Sequence, residues 1–397
     1  MPWRETSPMD QKRRFVGDYY REFVTFSELC ARYGVSRRIG YKWLARYEVD
    51  GPPGLADRSR RPHNSPAATP LPVVEQLLAL RRSHPSWGAK KLLSVLARRG
   101  LGDLPGRSTC CDLLKRHGLV MSPRRRKYPG HPGRPLSRMT EPNAVWTADF
   151  KGQFKTGDGQ YCYPLTVADG YSRFLLACQG LRSTSLELAR PVFSRLFHEY
   201  GLPRVIRTDN GIPFATTALG RLSTLSVWWI RLGIFPELIE PAHPQQNGSH
   251  ERMHRTLKRE TIRPPKRTLA AQQVCFNRFR REFNHDRPHE ALGQVTPASR
   301  YRPSARVLPK ALPSLEYPAH YELRYVSANG GIRWKCEWVC VTHTLAGEFV
   351  GLNEVGDGLW DVYFGPVLLG RMDERKLRIE DHRGRWIRRQ VLPMSPD

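Results

Sequence analysis

The sequence predicts a multidomain chain with all-α modules first, a central α/β sheet next and a small β module last. Three observations predict it. The 397 residues exceed the roughly 250 to 300 that one hydrophobic core organises. Apolar residues recur at helical spacing up to about residue 120, and from 144 they alternate as in strands. Stretches rich in Pro or in basic residues separate these patterns, as linkers do. The expected division is 1–50, a linker 51–70, 71–122, a basic linker 123–141, 142–300, a Pro-rich linker 301–318, 319–380 and a basic tail 381–397.

In the first module, FSELCARYGVSRRIGYKWLARY (26–47) holds two short helical patterns broken at Gly34. Leu29, Cys30, Tyr33, Val35, Ile39, Trp43 and Leu44 are directed to a shared core. Ser36 is placed to cap the second helix, which leaves Arg37, Arg38, Tyr41 and Lys42 facing away from that core. This reads as a helix-turn-helix whose second helix suits a major groove; a helical hairpin with a solvated basic face is the alternative.

Helical periodicity returns at 71–82, 88–99 and 108–117, with Thr109, Leu113 and Leu114 on one face of the last. A second, winged-helix-like helix-turn-helix fits, and so does a three-helix packing unit with no DNA role. Arg124, Arg125, Arg126 and Lys127 follow among Pro and Gly, and this segment is expected to order only against phosphate.

The charge balance names a partner. With 64 Lys and Arg against 37 Asp and Glu, the formal net charge is +27, which repels itself unless an anion is near. Arg outnumbers Lys, and its planar fork matches phosphate oxygens and guanine edges, so double-stranded DNA is expected rather than a membrane surface. No run reaches about 18 apolar residues, and 1–10 lacks the apolar core of a signal peptide, so a cytoplasmic, nucleoid-associated place is expected. Cys30, Cys110, Cys162 and Cys275 show no disulfide spacing and read as small buried apolar groups. Cys336, Cys340 and His343 lack the fourth ligand of a structural zinc site, and the two cysteines read as core residues on one strand.

AVWTADFKGQF (144–154) alternates as a strand, with Trp146, Ala148 and Phe150 on one side and Thr147 and Asp149 on the other. A turn at 156–159 and strands at 161–167 and 173–178 complete a meander. A helix over 183–200, a strand over 204–208 and a helix over 222–232 follow. Strands that begin antiparallel and then alternate with helices describe a sheet of the ribonuclease-H kind. Such a sheet would gather three acids: Asp149 in the first strand, Asp209 at the end of 204–208, and Glu251 in the first turn of a helix from 247. Each alone has a harmless reading, as a strand-edge residue, an Asp-Asn-Gly turn and a favourable helix-dipole contact. Asp169, in VADGYSR, reads as a structural turn acid.

WTADF, TDNGIPF and PQQNGSHERMHRTLKRE resemble the three catalytic motifs of bacterial DDE-type insertion-sequence transposases, whose core is like that of retroviral integrases. The likeness runs the length of the chain, through FNHDRPHEALGQVTPASRY. It implies a ribonuclease-H-like integrase core and two Mg²⁺ or Mn²⁺ ions on Asp149, Asp209 and Glu251. It further implies cleavage and strand transfer at the terminal repeats of a mobile element by a homo-oligomer on paired DNA ends. Oxygen ligands suit such hard cations, and a pair of them serves both the attacking and the leaving oxygen of a phosphodiester. Arg255 and Lys258 follow Glu251 at i+4 and i+7, and the resemblance gives them to the DNA end; a solvent-facing salt-bridge stripe is the alternative. His243, Gln245, Gln246 and Asn247 are expected to position the scissile strand, or else to form a plain surface loop. The second and third acids stand further apart than is usual in the family, and the extra residues are expected to lengthen a surface loop at 217–226. A transposase-derived DNA-binding regulator that no longer cuts, or a nuclease that never joins strands, are the other readings.

After 301–318, short alternating strands at 321–326, 331–338, 348–352 and 360–364 suggest a small SH3-like β-barrel, which the resemblance gives to DNA. The Arg and Lys excess over 371–389 is expected to add a hold that ignores sequence.

Overall fold

The computed structural model describes residues 7–58, 68–120, 136–240 and 243–381. Arg124, Arg125, Arg126 and Lys127 lie outside the described residues, as does the chain after Asp381. Two compact units meet in sequence between Ala68 and Thr69.

The first unit holds α1 (Pro8–Tyr20), α2 (Phe26–Arg32) and α3 (Arg37–Asp50). Ser7, Thr25 and Ser36 cap them, and Thr25 and Glu28 form a reciprocal capping box. Gly34, at φ +65°, makes the turn between α2 and α3. The helices cross at Gly40, where a Cβ would stand 2.9 Å from both Cys30 Sγ and Phe26 Cζ. That crossing corrects the expected core: Gly40 takes the inward position and Ile39 is 43% exposed. The linker also begins later than expected. Pro52–Leu55 forms a 3-10 turn that buries Leu55 completely, and the Leu55 carbonyl accepts from Lys12 Nζ at 3.2 Å.

The second unit opens with α4 (Leu71–Ser83), α5 (Ala89–Arg98) and α6 (Arg107–Arg116). Cys110 and Leu114, one helical turn apart, face the core of this bundle, whereas Thr109 is exposed. No strand, and so no wing, occurs among its described residues.

The central sheet contains β1 (Val145–Phe150), β2 (Phe154–Lys155), β3 (Tyr161–Asp169), β4 (Leu175–Leu181), β5 (Val205–Thr208) and β6 (Phe235–Leu238). Its order is β4-β3-β1-β5-β6, with β2 on the start of β3; β1, β3 and β4 run antiparallel, and β1, β5 and β6 parallel. This is the mixed sheet of a ribonuclease-H-like core. Helices α7 (Leu186–Tyr200) and α8 (Thr224–Arg231) cover one face through Phe193, Phe197 and Trp229. On the other, α9 (Gly248–Leu257) and α10 (Leu269–His285) bring Met253, Leu257, Phe276 and Phe279 onto Cys162 and Cys178. Cys275, on α10, is only half-buried.

The C-terminal part is all antiparallel. Strands β7 (Glu322–Tyr325), β8 (Gly331–Trp334), β9 (Glu337–Cys340), β10 (Phe349–Gly356), β11 (Leu359–Phe364), β12 (Val367–Asp373) and β13 (Arg378–Glu380) form a five-stranded sheet, β13-β12-β11-β10-β7, beside a β8-β9 hairpin. The result is consistent with a small barrel. The single strand expected over 331–338 is thus a hairpin, because Lys335 and Cys336 both adopt positive φ, 44° and 68°, as a tight two-residue turn requires. Cys336 is therefore exposed and Cys340 half-buried, correcting their reading as core residues. Arg371, the first residue of the 371–389 basic stretch, lies in β12, and its Nε donates to Asp361 at 2.7 Å.

The stretch expected as a surface loop at 217–226 is instead a docking point. Leu219 and Leu222 join Val227 and Ile230 in one apolar cluster with Val350, Phe364 and Leu369 of the C-terminal sheet. Gly220, at φ +64°, lies so close to Leu369 that a Cβ would meet its Cδ2 at 2.8 Å. Arg231 Nη1 adds donors to both oxygens of Glu348, at 2.8 and 2.6 Å. Among the described residues, no helix is long and apolar enough to cross a membrane.

Candidate active site

Strand pairing brings two of the three acids together. Ala148 pairs with Thr208 in parallel register, so Asp149, still within β1, stands beside Asp209, the first residue past β5. Across the antiparallel pair, Asp149 faces Thr166 of β3, whose hydroxyl donates to the Asp149 carbonyl at 3.0 Å. Asp209 is fixed by its own turn, with its Oδ1 accepting the Gly211 N–H at 3.2 Å.

Helix α9 brings the third acid. Its buried face carries His250 and His254, one turn apart. His250 Nδ1 lies 2.8 Å from Thr147 Oγ1 and its Nε2 2.7 Å from Thr166 Oγ1; His254 Nε2 lies 2.6 Å from the same Thr166 hydroxyl. His254 Nδ1 is 3.5 Å from Asp149 Oδ2. Glu251, between the histidines, is exposed and close enough for its charge to act on Asp149.

The electrostatics of this cluster are unusual. Burial first, then the charge of Asp209 and more weakly that of Glu251, push the Asp149 carboxyl up to about 7, against the pull of Lys151. Burial also raises Asp209, opposed by the Gly211 N–H. Both histidines are held neutral: burial and Lys151 depress His250 to about 3, and burial and His250 depress His254 well below the ordinary value.

Asp149, His250 and His254 form the one set of ligand atoms, among the described residues, that lie within 4.8 Å of one another. Both His250 nitrogens already face threonine hydroxyls, however, so that ring supports α9 rather than offering a lone pair. The three acids supply the oxygen donors that Mg²⁺ or Mn²⁺ prefer, and a cation would relieve the mutual repulsion that raises Asp149.

Arg37, Arg38, Tyr41 and Lys42 are all exposed on α3, with Tyr41 stacked on Phe26 at 4.1 Å between ring centroids. Arg255 and Lys258 are exposed on α9 and at the start of the π-type turn Lys258–Ile262. In the preceding loop, Gln245 is exposed and His243 half-buried, but Gln246 accepts the Glu240 N–H at 2.8 Å and Asn247 is 4% exposed. That loop is therefore neither flat nor wholly at the surface. Asp169 is buried and structural: its oxygens accept from the Asn143 N–H at 2.7 Å and from the N–H and hydroxyl of Ser172 at 2.7 and 2.5 Å. The sequence reading does not include His250 and His254, whose one visible signal is the i, i+4 pair flanking the acid in HERMH.

Two models described as integrase core domain match residues 139–244 and 232–297, a homeodomain-like model matches 39–114, and a helix-turn-helix model matches 11–63. The chain carries an integrase core and helix-turn-helix domains. The core is similar to bacterial and viral proteins. The 31.7 kDa protein of insertion element IS407 from Burkholderia multivorans is 26% identical over 242 residues, 59% of this chain and 83% of that one. The 39.2 kDa protein of insertion element IS476 from Xanthomonas euvesicatoria is 26% identical over 58% of this chain and 66% of its own. The Gag-Pol polyprotein of feline leukemia virus is 32% identical over 32% of this chain but only 7% of the polyprotein. Among solved structures, the HTLV-2 integrase catalytic core domain in complex with magnesium is 16% identical, with TM-score 0.33, over 42% of this chain and all of that one. A simian T-cell lymphotropic virus intasome chain is 17% identical, with TM-score 0.36, over 74% of this chain and 97% of its own.

Proposed function

We propose that this chain is a DDE transposase that binds the terminal repeats of a mobile DNA element and catalyses metal-dependent 3′-end cleavage and strand transfer. The observation that carries the reading is the emergence of Asp149 and Asp209 side by side from parallel strands, with Glu251 of α9 in electrostatic reach. These three residues would hold Mg²⁺ or Mn²⁺, two ions in the full site, which supply activation of the attacking hydroxyl and charge stabilisation at the leaving oxygen.

The chain's own residues do the positioning. Thr166 fixes the backbone of Asp149 and anchors both histidines, which keeps α9, and so Glu251, in place over the sheet. Arg255 and Lys258, exposed on and just after the helix that carries Glu251, and Gln245, exposed before it, would hold the DNA end. Arg37, Arg38, Tyr41 and Lys42 would read the terminal repeat from α3, and the basic linker with Arg124, Arg125, Arg126 and Lys127 would follow the phosphates. The working form would be a homo-oligomer on paired ends, in the cytoplasm with the nucleoid.

The test is a strand-transfer reaction of the purified chain with a labelled duplex carrying the element's end, a plasmid target and Mg²⁺ or Mn²⁺, beside Asp149→Asn. Joined product that vanishes in the variant is expected. Nicked product without joining would leave a nuclease, and tight end binding without metal-dependent product would leave a DNA-binding regulator.

A further inference from the structure

A cavity of about 350 Å³ opens where the second helical module meets the core, and its walls are basic. Lys91 comes from α5, Arg173 from the turn after β3, Arg252 and Arg255 from α9, and Arg287 from the segment after α10. The acids nearby are already engaged. Asp169 spends its oxygens on Asn143 and Ser172. Glu260 pairs with Arg287 at 3.2 Å, and Glu290, at the rim, pairs with Lys90. His289, also in the wall, is kept neutral by burial and adds no charge.

The side chains of Lys91 and Arg173 have no hydrogen-bond or ion-pair partner among the described residues, although both residues are half-buried. Burying a cation without a counter-ion is costly, and two at one cavity are rarer still. Burial and the neighbouring Arg287 pull Lys91 down to about 8, and burial and Arg252 lower Arg173. At neutral pH both remain charged, and the acids that act on them from a distance, Glu260 and Glu290 on Lys91 and Asp169 on Arg173, are bonded to other groups.

We infer that this cavity is a binding site for a backbone phosphate of DNA, built jointly by α5 of the second helical module and by the integrase core. The inference rests on the reading of the chain as an enzyme that acts on DNA. Position favours a strand over a free anion: Arg252 and Arg255 line the cavity from the helix that carries Glu251, so a phosphate held here lies on a path toward the acids. It also gives the second helical module a DNA contact through Lys91, outside any groove-reading helix.

The experiment measures binding of the full chain to a labelled duplex by fluorescence anisotropy over a salt series, for wild type, Lys91→Met and Arg173→Gln. Each variant is expected to bind about tenfold more weakly at low salt, with a salt slope reduced by about one contact and equal losses on end-bearing and random duplex. Lys91→Met removes an unpaired, half-buried charge, so it should melt no lower than wild type, which separates lost binding from lost folding. Wild-type affinity and slope in both variants would overturn the phosphate site and leave the DNA reading standing. A wild type that binds no duplex would overturn that reading and the site with it. A melting rise in inorganic phosphate that both variants lose, without any change in duplex binding, would show a free-phosphate pocket and overturn the strand assignment.

Discussion

His254 Nε2 and Thr166 Oγ1 stand 2.6 Å apart, and that one hydroxyl also meets His250 Nε2 and the Asp149 carbonyl. Thr166→Val keeps the shape and removes the shared partner. Each buried polar group left unsatisfied costs about 1 to 3 kcal/mol, so a loss of about 3 kcal/mol is expected in urea unfolding. Strand transfer should fall further than the unfolded fraction explains. A loss well under about 1 kcal/mol would mean that the hydroxyl does not hold the site together.

Asp149→Asn should separate metal binding from folding. Without divalent metal the variant is expected to melt higher than wild type, because it removes a buried charge set against Asp209. Saturating Mg²⁺ should raise the wild-type melting temperature, with about 2.7 kcal/mol available at one hundred times Kd, and should barely move the variant. Equal metal responses in a calorimeter would place the cation elsewhere.

Acid should weaken the fold. His250 and His289 titrate near 3 in the folded chain and His254 well below its ordinary value, against about 6.5 when unfolded. Below that unfolded value the unfolded chain takes up protons that the fold refuses, so their contribution is present above pH 6.5 and lost as pH falls. Asp149 runs the other way: raised from 3.8 to about 7, it costs stability as pH rises through that window. Asp209 and Asp169, also raised by burial, act with Asp149, but the unfolded value of all three histidines lies within this range, so stability should drop by on the order of a few kcal/mol from pH 7 to 5, and more steeply in Asp149→Asn. A wild type more stable at pH 5 would show that the rings are protonated in the fold.

Leu219→Ala and Leu222→Ala should each cost about 2 to 5 kcal/mol and open the 301–318 segment to proteases. Unchanged proteolysis would mean that the C-terminal sheet is held by Arg231–Glu348 and its neighbours alone.

Arg37→Ala or Arg38→Ala should weaken binding to the element's terminal repeat more than to random duplex. Equal losses on both would limit α3 to phosphate contacts.

The sequence was most legible where local pattern and tertiary role coincide. Alternation in WTADF put Asp149 on the face opposite Trp146, and Asp-Asn-Gly marked the end of a strand. Illegible features depended on distant partners. His250 and His254 acquire a role only once α9 lies on Thr147 and Thr166 of two strands. Periodicity alone points Ile39 to the core, because it cannot see that a helix crossing there demands the small Gly40. The turn at Lys335 and Cys336 is invisible in the sequence because neither residue type favours positive φ. Leu219 and Leu222 looked like loop residues because the strands that cover them come much later in the chain.

That last arrangement bears on how the protein is made. Synthesis runs from the N-terminus, so the core leaves the ribosome with Leu219, Leu222 and Ile230 uncovered until Phe364 and Leu369 follow. A message broken before β7 would yield a chain with all three acids but with Leu219, Leu222 and Ile230 uncovered, prone to aggregation. Burial of this face therefore waits on synthesis through β12.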